Sequence, residues 1–263
     1  MKIQVLSDLH LETEDFTARA APQADLLVLA GDVDSTWAGL ALFENWPVPI
    51  IFVPGNHEFD GRDVDEALQG LRVRCQQLGL CLLERDTTVV TAPDGRRIRF
   101  VGTTRWSDFD LFGLAHRPKS MRAATYYVRV MRSTRLGLPF DPESVRAEAL
   151  RCREWLDHTL RQAPEVDATG RPAWDSTVAI THYGPSLRSA DPRYGQQPGT
   201  ASFCNADDDL LPLVPLWIHG HLHCRHDYTV PHAHGVTRVI SNARGHSRKG
   251  EADHYNGLYS IEI

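Results

Sequence analysis

The chain has 263 residues, 42% of them hydrophobic and 24% charged, with a formal net charge of −6. That is long enough to bury a large core, so one α/β domain over residues 1–263 is expected. The negative balance argues against a surface built to hold duplex nucleic acid, and no apolar stretch approaches the length of a membrane-spanning helix. Residues 1–6 form a short apolar run with no cleavage site before Asp8, and its removal would take the first candidate ligands with it, so no removable leader is expected. The five cysteines are odd in number and include no C-x-x-C pair, so reduced thiols in a cytoplasmic protein are expected.

Short apolar runs that end in a polar motif recur along the chain. Residues 3–6 lead into Ser7-Asp8-Leu9-His10, 26–30 into Gly31-Asp32, and 50–53 into Pro54-Gly55-Asn56-His57. A helix follows, with Val64, Leu68, Leu71, Cys75 and Leu78 at three- and four-residue spacing and Gly79 as its stop. Residues 97–101 predict a strand, and 104–140 an insertion that roofs part of the site. A second helix starts at Asp141-Pro142, with Val145, Ala149, Cys152, Leu156 and Leu160 on one face. Residues 163–175 read as a surface loop. The apolar run 177–181 then leads into His182, and 216–218 into His219-Gly220-His221-Leu222-His223. Further strands are predicted at 236–241 and 258–263. Short apolar runs closed by Gly or Pro are buried strands, and ligands just past strand ends fit a site at the carboxyl edge of an α/β sheet.

These clusters supply seven candidate metal ligands, Asp8, His10, Asp32, Asn56, His182, His221 and His223, and one further histidine, His57. Carboxylate, imidazole and amide oxygen together suit borderline ions, Mn, Fe, Co, Ni or Zn, with Mn or Fe favoured; an all-oxygen Mg or Ca site has no use for four histidines. In both D-x-H and H-x-H, strand alternation is expected to point two side chains at one ion, and Gly220 permits close backbone approach. Asp32 can bridge two ions through its two oxygens. Two ions about 3.5–4 Å apart can hold a hydroxide and clamp a phosphoryl group. Any one of these short motifs occurs by chance, and a lone G-D is usually a turn. Five clusters in order, most of them after an apolar run, point to a binuclear centre.

The order D-x-H, G-D, G-N-H-E, H, G-H-x-H resembles the calcineurin-like metallophosphoesterase superfamily from Asp8 to His223, and Ser241-Asn242-Ala243-Arg244-Gly245 is similar to the N-P-R-G segment of its small bacterial members. The resemblance implies a four-layer α-β-β-α sandwich with two central mixed sheets. It also implies that Asp8, His10, Asp32 and His223 hold one ion and Asp32, Asn56, His182 and His221 the other. His57 would stand beside the leaving group. The implied reaction is phosphoester hydrolysis by in-line attack of a metal-bridging hydroxide on a small phosphoester or nucleotide.

The chain departs from the family's protein phosphatases, which read G-D-x-x-D with a last Asp that orients the catalytic histidine. Ser35 stands there, so Asp34 or Asp60 takes that role or His57 is less tightly held. This departure favours a phosphodiesterase over a phosphomonoesterase or protein phosphatase. A non-catalytic scaffold of the same fold is the rival from another class, and the complete ligand set argues against it. Arg105, Trp106, Tyr183, Arg188, Arg193, Tyr194 and His226 are candidates for substrate selection, with Arg105-Trp106 offering a guanidinium and a stacking face to a nucleotide. His219 reads as structural. The histidines at 116, 158, 232, 234, 246 and 254 show no ligand spacing.

Overall fold

The apolar runs become strands buried on both faces, and such strands need cover on both sides. A computed structural model describes all residues from Met1 to Ile263. One sheet joins β1 (Lys2–Leu6), β2 (Leu26–Ala30), β3 (Ile50–Val53), β4 (Cys81–Leu82) and β13 (Ser260–Glu262) in the order β13-β1-β2-β3-β4. The second joins β5 (Asp86–Thr91), β6 (Arg97–Thr103), β9 (Ser176–Thr181), β10 (Leu216–His219), β11 (His226–His232) and β12 (Gly235–Ser241) in the order β11-β12-β10-β9-β6-β5. Strands β1 to β4 run parallel, as do β6, β9, β10 and β12, and the outer strands β13, β11 and β5 are antiparallel. Both sheets are therefore mixed, and their parallel strands end at a common edge.

The sheets face each other through one core in which Val5, Val28 and Ile51 meet Phe100, Val178, Ile180 and Ile218. The outer face of the first sheet packs Leu27, Leu29 and Phe52 against Leu71, Cys75 and Leu78 of α1 (Val64–Leu78). The outer face of the second packs Val101, Ala179 and Trp217 against Leu156 and Leu160 of α3 (Pro142–Leu160). These are the four layers. Asp63 caps α1 through the Asp65 and Glu66 amides and Gly79 ends it at φ 73°. Asp141 caps α3 through the Ser144 amide, with Pro142 in the first turn. Both helices lie where their apolar periodicity places them.

Three strands of the two sheets were not expected. Strands β5 and β11 are edge strands with one solvated face, and their Asp, Thr and His residues break the apolar run that marks a buried strand. Strand β4 has only two residues. The insertion folds as α2 (Arg117–Met131), which lies over the site edge, and a hairpin of β7 (Thr134–Arg135) and β8 (Leu138–Pro139), which lies against the start of α1. No helix is long and apolar enough to cross a membrane.

Candidate metal centre

Every expected ligand sits in a loop just beyond the end of β1, β2, β3, β9 or β10. The backbone there is not extended. Asp8, His10, Asp32, His221 and His223 have φ of 55°, 49°, 52°, 72° and 48°. Strand alternation therefore does not set the D-x-H and H-x-H pairs; left-handed backbone turns both residues of each pair inward. Such residues cost on the order of 1–3 kcal/mol each and persist where surrounding structure fixes them. The loops are stitched to one another: the Asp8 amide donates to the Gly31 carbonyl (3.0 Å), His10 to Asp32 (3.1 Å) and Gly220 to His182 (2.9 Å). At Gly220 a Cβ would come within 2.7 Å of the Ala30 carbonyl oxygen and an Asp8 carboxylate oxygen, so no side chain fits.

Two donor clusters result. The ligating atoms of Asp8, His10, Asp32 and His223 lie within 4.8 Å of one another, and so do those of Asp32, His182 and His221. Asp32 belongs to both. Within each cluster, potential ligating atoms face one another. His182 Nδ1 donates to the Ala30 carbonyl (2.8 Å), which turns its Nε2 toward Asp32 Oδ2 at 3.1 Å. His10 and His223 each place Nδ1 on a carboxylate, Glu12 at 3.1 Å and Glu251 at 2.7 Å, and their Nε2 atoms stand 2.9 Å apart. Asp32 Oδ2, Asn56 Oδ1 and His182 Nε2 are buried without a hydrogen-bond partner. Buried acceptors facing one another require a proton or a cation between them, and N/O donors of this kind fit borderline divalent ions. Burial alone would raise the Asp32 carboxyl, but His182 and His57 outweigh it and hold the group well below the carboxylate range. Burial disfavours charge on His182, and Asp32 reverses this, pushing it up to about 9.

His57 lies beside both clusters. Its amide donates to Asp32 Oδ1 (2.9 Å), and its Nδ1 pairs with Asp60 Oδ2 at 2.6 Å. Asp60 is thus the orienting carboxylate that Ser35 cannot supply. Asp34 is occupied elsewhere, accepting from the Thr36 and Gly39 amides. Burial would lower the His57 imidazole, and Asp32 and Asp60 override this, raising it to about 10. Glu58 has a role that its motif alone did not reveal. Fully buried, it accepts the amides of Asp32 (3.0 Å), Val33 (2.7 Å) and Gly55 (2.6 Å), clamping the G-D loop to the G-N-H-E loop.

The sequence profile of the calcineurin-like phosphoesterase family matches residues 1–225. The chain belongs to that family. It is accordingly a metal-dependent phosphoester hydrolase of a family with a binuclear centre. No curated protein sequence matches it. Among solved structures it is similar to the crystal structure of the phosphopantetheinyl hydrolase PptH from Mycobacterium tuberculosis, with a TM-score of 0.67 and 21% identity over 99% of this chain and 95% of that one. At that identity the likeness is one of fold, the same sandwich.

Above the clusters the phosphoesterase encloses a cavity of about 480 Å³. Asn56, His57 and His221 lie on its floor, and Trp106, Phe203 and Tyr127 form apolar wall. Among the residues expected to select substrate, Trp106, Tyr183 and Tyr194 line it. Arg105 does not. It is fully buried, paired with Asp207 and Asp108 at 2.8 Å and bound to two backbone carbonyls, so it braces the wall and cannot reach a nucleotide. Arg188 is exposed outside the cavity, Arg193 is tied to Asp191, and His226 packs on His219. His219 is buried with Nε2 on Ser189 Oγ (2.9 Å), a structural residue as expected. Glu12, Glu251 and His246 were not singled out by the sequence. Glu12 stands two residues past His10 and so had a local signal, whereas no short spacing links Glu251 and His246 to the motifs, and only the fold brings those two to the site.

Proposed function

We propose that this chain is a cytoplasmic binuclear phosphodiesterase acting on a small phosphodiester, with Asp8, His10, Asp32 and His223 holding one transition-metal ion and Asp32, Asn56, His182 and His221 the other. The observation that carries the metal assignment is Asp32, one carboxylate shared by two donor clusters. Bound cations supply charge neutralisation for the phosphoryl oxygens and a more acidic water. The rest falls to the chain's own groups. His57, held by Asp60 at the cavity floor, is placed to donate a proton toward the leaving oxygen. Glu58 keeps Asp32 and the Asn56 loop in register. The chamber beside the site has room for a second ester group, and its Trp106, Tyr127 and Phe203 wall suits an apolar or planar one. Five unpaired cysteines support a reducing compartment.

The test is hydrolysis of bis(p-nitrophenyl) phosphate against p-nitrophenyl phosphate by metal-stripped and Mn²⁺-reconstituted protein, followed by a panel of natural diesters that includes a phosphopantetheinyl one. Mn²⁺-dependent turnover that prefers the diester is expected. Preference for the monoester would overturn the diesterase reading in favour of a phosphomonoesterase. Turnover of no panel member with two ions bound would leave a scaffold.

A further inference from the structure

His246 lies outside the motif set, yet the fold carries it to the first donor cluster. Its ring stacks on His10, with centroids 4.5 Å apart and planes 29° apart, and meets His223 edge-on at 5.1 Å. Nitrogens of His10, His223 and His246 lie within 4.8 Å of one another. Two nitrogens on one ion are at most about 4.2 Å apart when each bond is about 2.1 Å. The three imidazoles therefore stand close to, and somewhat wider than, the span of one coordination shell, and seating all three on a cation requires the rings to draw together.

The loop that carries His246 is built against the ligand loop. The Arg244 and Gly245 amides donate to the carbonyls of Ser7 (3.0 Å) and Asp8 (2.9 Å). Gly245 is left-handed at φ 70°, and a Cβ there would press on Glu251 at 2.7 Å and His223 at 2.9 Å. The His246 amide donates to Glu251 Oε2 (2.9 Å), the same oxygen that takes His223 Nδ1.

A looser version of the pattern around His10 and His223, at ion-pair rather than hydrogen-bond distance, recurs at His246. Glu12 faces His10 Nδ1, Glu251 faces His223 Nδ1, and Glu14 lies 3.5 Å from His246 Nδ1. Glu14 is itself fixed by the Ser247 amide and hydroxyl and by Arg244. A carboxylate on Nδ1 is the usual device that orients a metal-binding imidazole and leaves Nε2 as the donor. A histidine with no such task needs neither the carboxylate nor the glycine beneath it.

We propose that His246 is a further protein ligand of the ion held by Asp8, His10, Asp32 and His223. This rests on the binuclear reading above. The first ion then has five protein donors against four for the second, Asp32, Asn56, His182 and His221. The two ions are unequal: the first is the more saturated and more tightly held, and the second keeps more positions open for substrate oxygens.

The test uses Co²⁺ as the probe on metal-stripped full-length protein. Chelator competition gives the two affinities, and proton NMR of the Co²⁺ form counts the shifted, exchangeable imidazole N–H signals of bound histidines. In His246→Ala one of the two affinities is expected to fall by about 100-fold or more, a loss above the 10–100-fold typical of outer partners, and one shifted N–H signal to disappear. Glu14→Gln, which keeps the imidazole, is expected to keep that signal and lose about 10-fold in the same affinity. Unchanged affinities and an unchanged signal count in a folded His246→Ala protein would overturn the inference, and a raised KM alongside them would make His246 a substrate contact. Failure of the wild-type protein to take up Co²⁺ would remove the binuclear reading itself, and this inference with it.

Discussion

The floor and the roof of the site are held in different ways. On the floor, five non-glycine residues are kept in left-handed backbone by hydrogen bonds between loops, and His10, His57 and His223 each have a carboxylate partner. The roofing insertion, residues 104–140, has only Asp108 and Asp110 as acidic residues, both near its start, in a chain of net charge −6. Helix α2 buries only Ser120, Ala124 and Met131, while Tyr126 is 71% and Leu136 87% exposed. A heavily tied floor fixes the chemistry, and a lightly held roof can vary the substrate without disturbing it.

The sharpest way to break the comparison is to remove the residue shared by both donor clusters. Asp32→Asn is expected to lower kcat by about 10⁴-fold, roughly 5 kcal/mol of transition-state stabilisation, with bound metal falling below two ions per chain. Turnover within about tenfold of wild type would refute the shared role.

Next comes the acid. His57→Asn is expected to lose about 10²–10⁴-fold in kcat with its metal retained, and Asp60→Asn to lose less. In the metal-free protein His57 should titrate near 10. Because Asp60 favours the protonated ring, Asp60→Asn should move that titration to lower pH by NMR. A His57 titration that does not move would exclude Asp60 as its partner.

On the roof the expected effects are smaller and of another kind. Tyr127→Ala removes cavity wall that also meets Phe203 edge-on at 5.0 Å. KM for the diester is expected to rise about tenfold, near 1.4 kcal/mol, with kcat within about twofold. A fall in kcat with unchanged KM would place the roof in the chemistry.

The smallest effect lies where the roof hairpin is anchored. Glu148 on α3 pairs with Arg85 (2.7 Å), Arg135 of β7 (3.0 Å) and Arg151 (2.6 Å). Burial raises its carboxyl, but Arg85 and the other two guanidiniums outweigh this and hold it below its ordinary 4.5. A depressed carboxyl stabilises the fold above its unfolded value, and that contribution is lost as pH falls through the lower folded value. Glu148→Gln should therefore lose about 1.5–3 kcal/mol near neutral pH, and the Tm difference from wild type should shrink below pH 4.5. A difference that grows on acidification would contradict the assignment.

The floor was largely legible in the sequence because its chemistry comes in short motifs at strand ends. Asp8, His10, Asp32, Asn56, His182, His221 and His223 all converge at one edge, as their order implied. What supports them was not legible. Glu251 meets His223 from 28 residues away, and Glu14 meets His246 across 232. No local spacing encodes such pairs, and left-handed φ at Asp or His leaves no mark of the kind glycine would. The choice between Asp34 and Asp60 also needed coordinates, since both lie near a motif and only one faces His57. Helix α2 was missed although Met121, Ala124, Val128 and Met131 stand at three- and four-residue spacing, because exposed Tyr126, Tyr127 and Val130 on its other faces blur that stripe.

The most direct test of the binuclear account is Mn²⁺ titration of the metal-free protein, with binding and bis(p-nitrophenyl) phosphate hydrolysis followed together. The account predicts two Mn²⁺ per chain, with turnover rising as the second binds and vanishing in Asp32→Asn. Turnover that persists in the metal-free protein, or that saturates with a single ion, would contradict it.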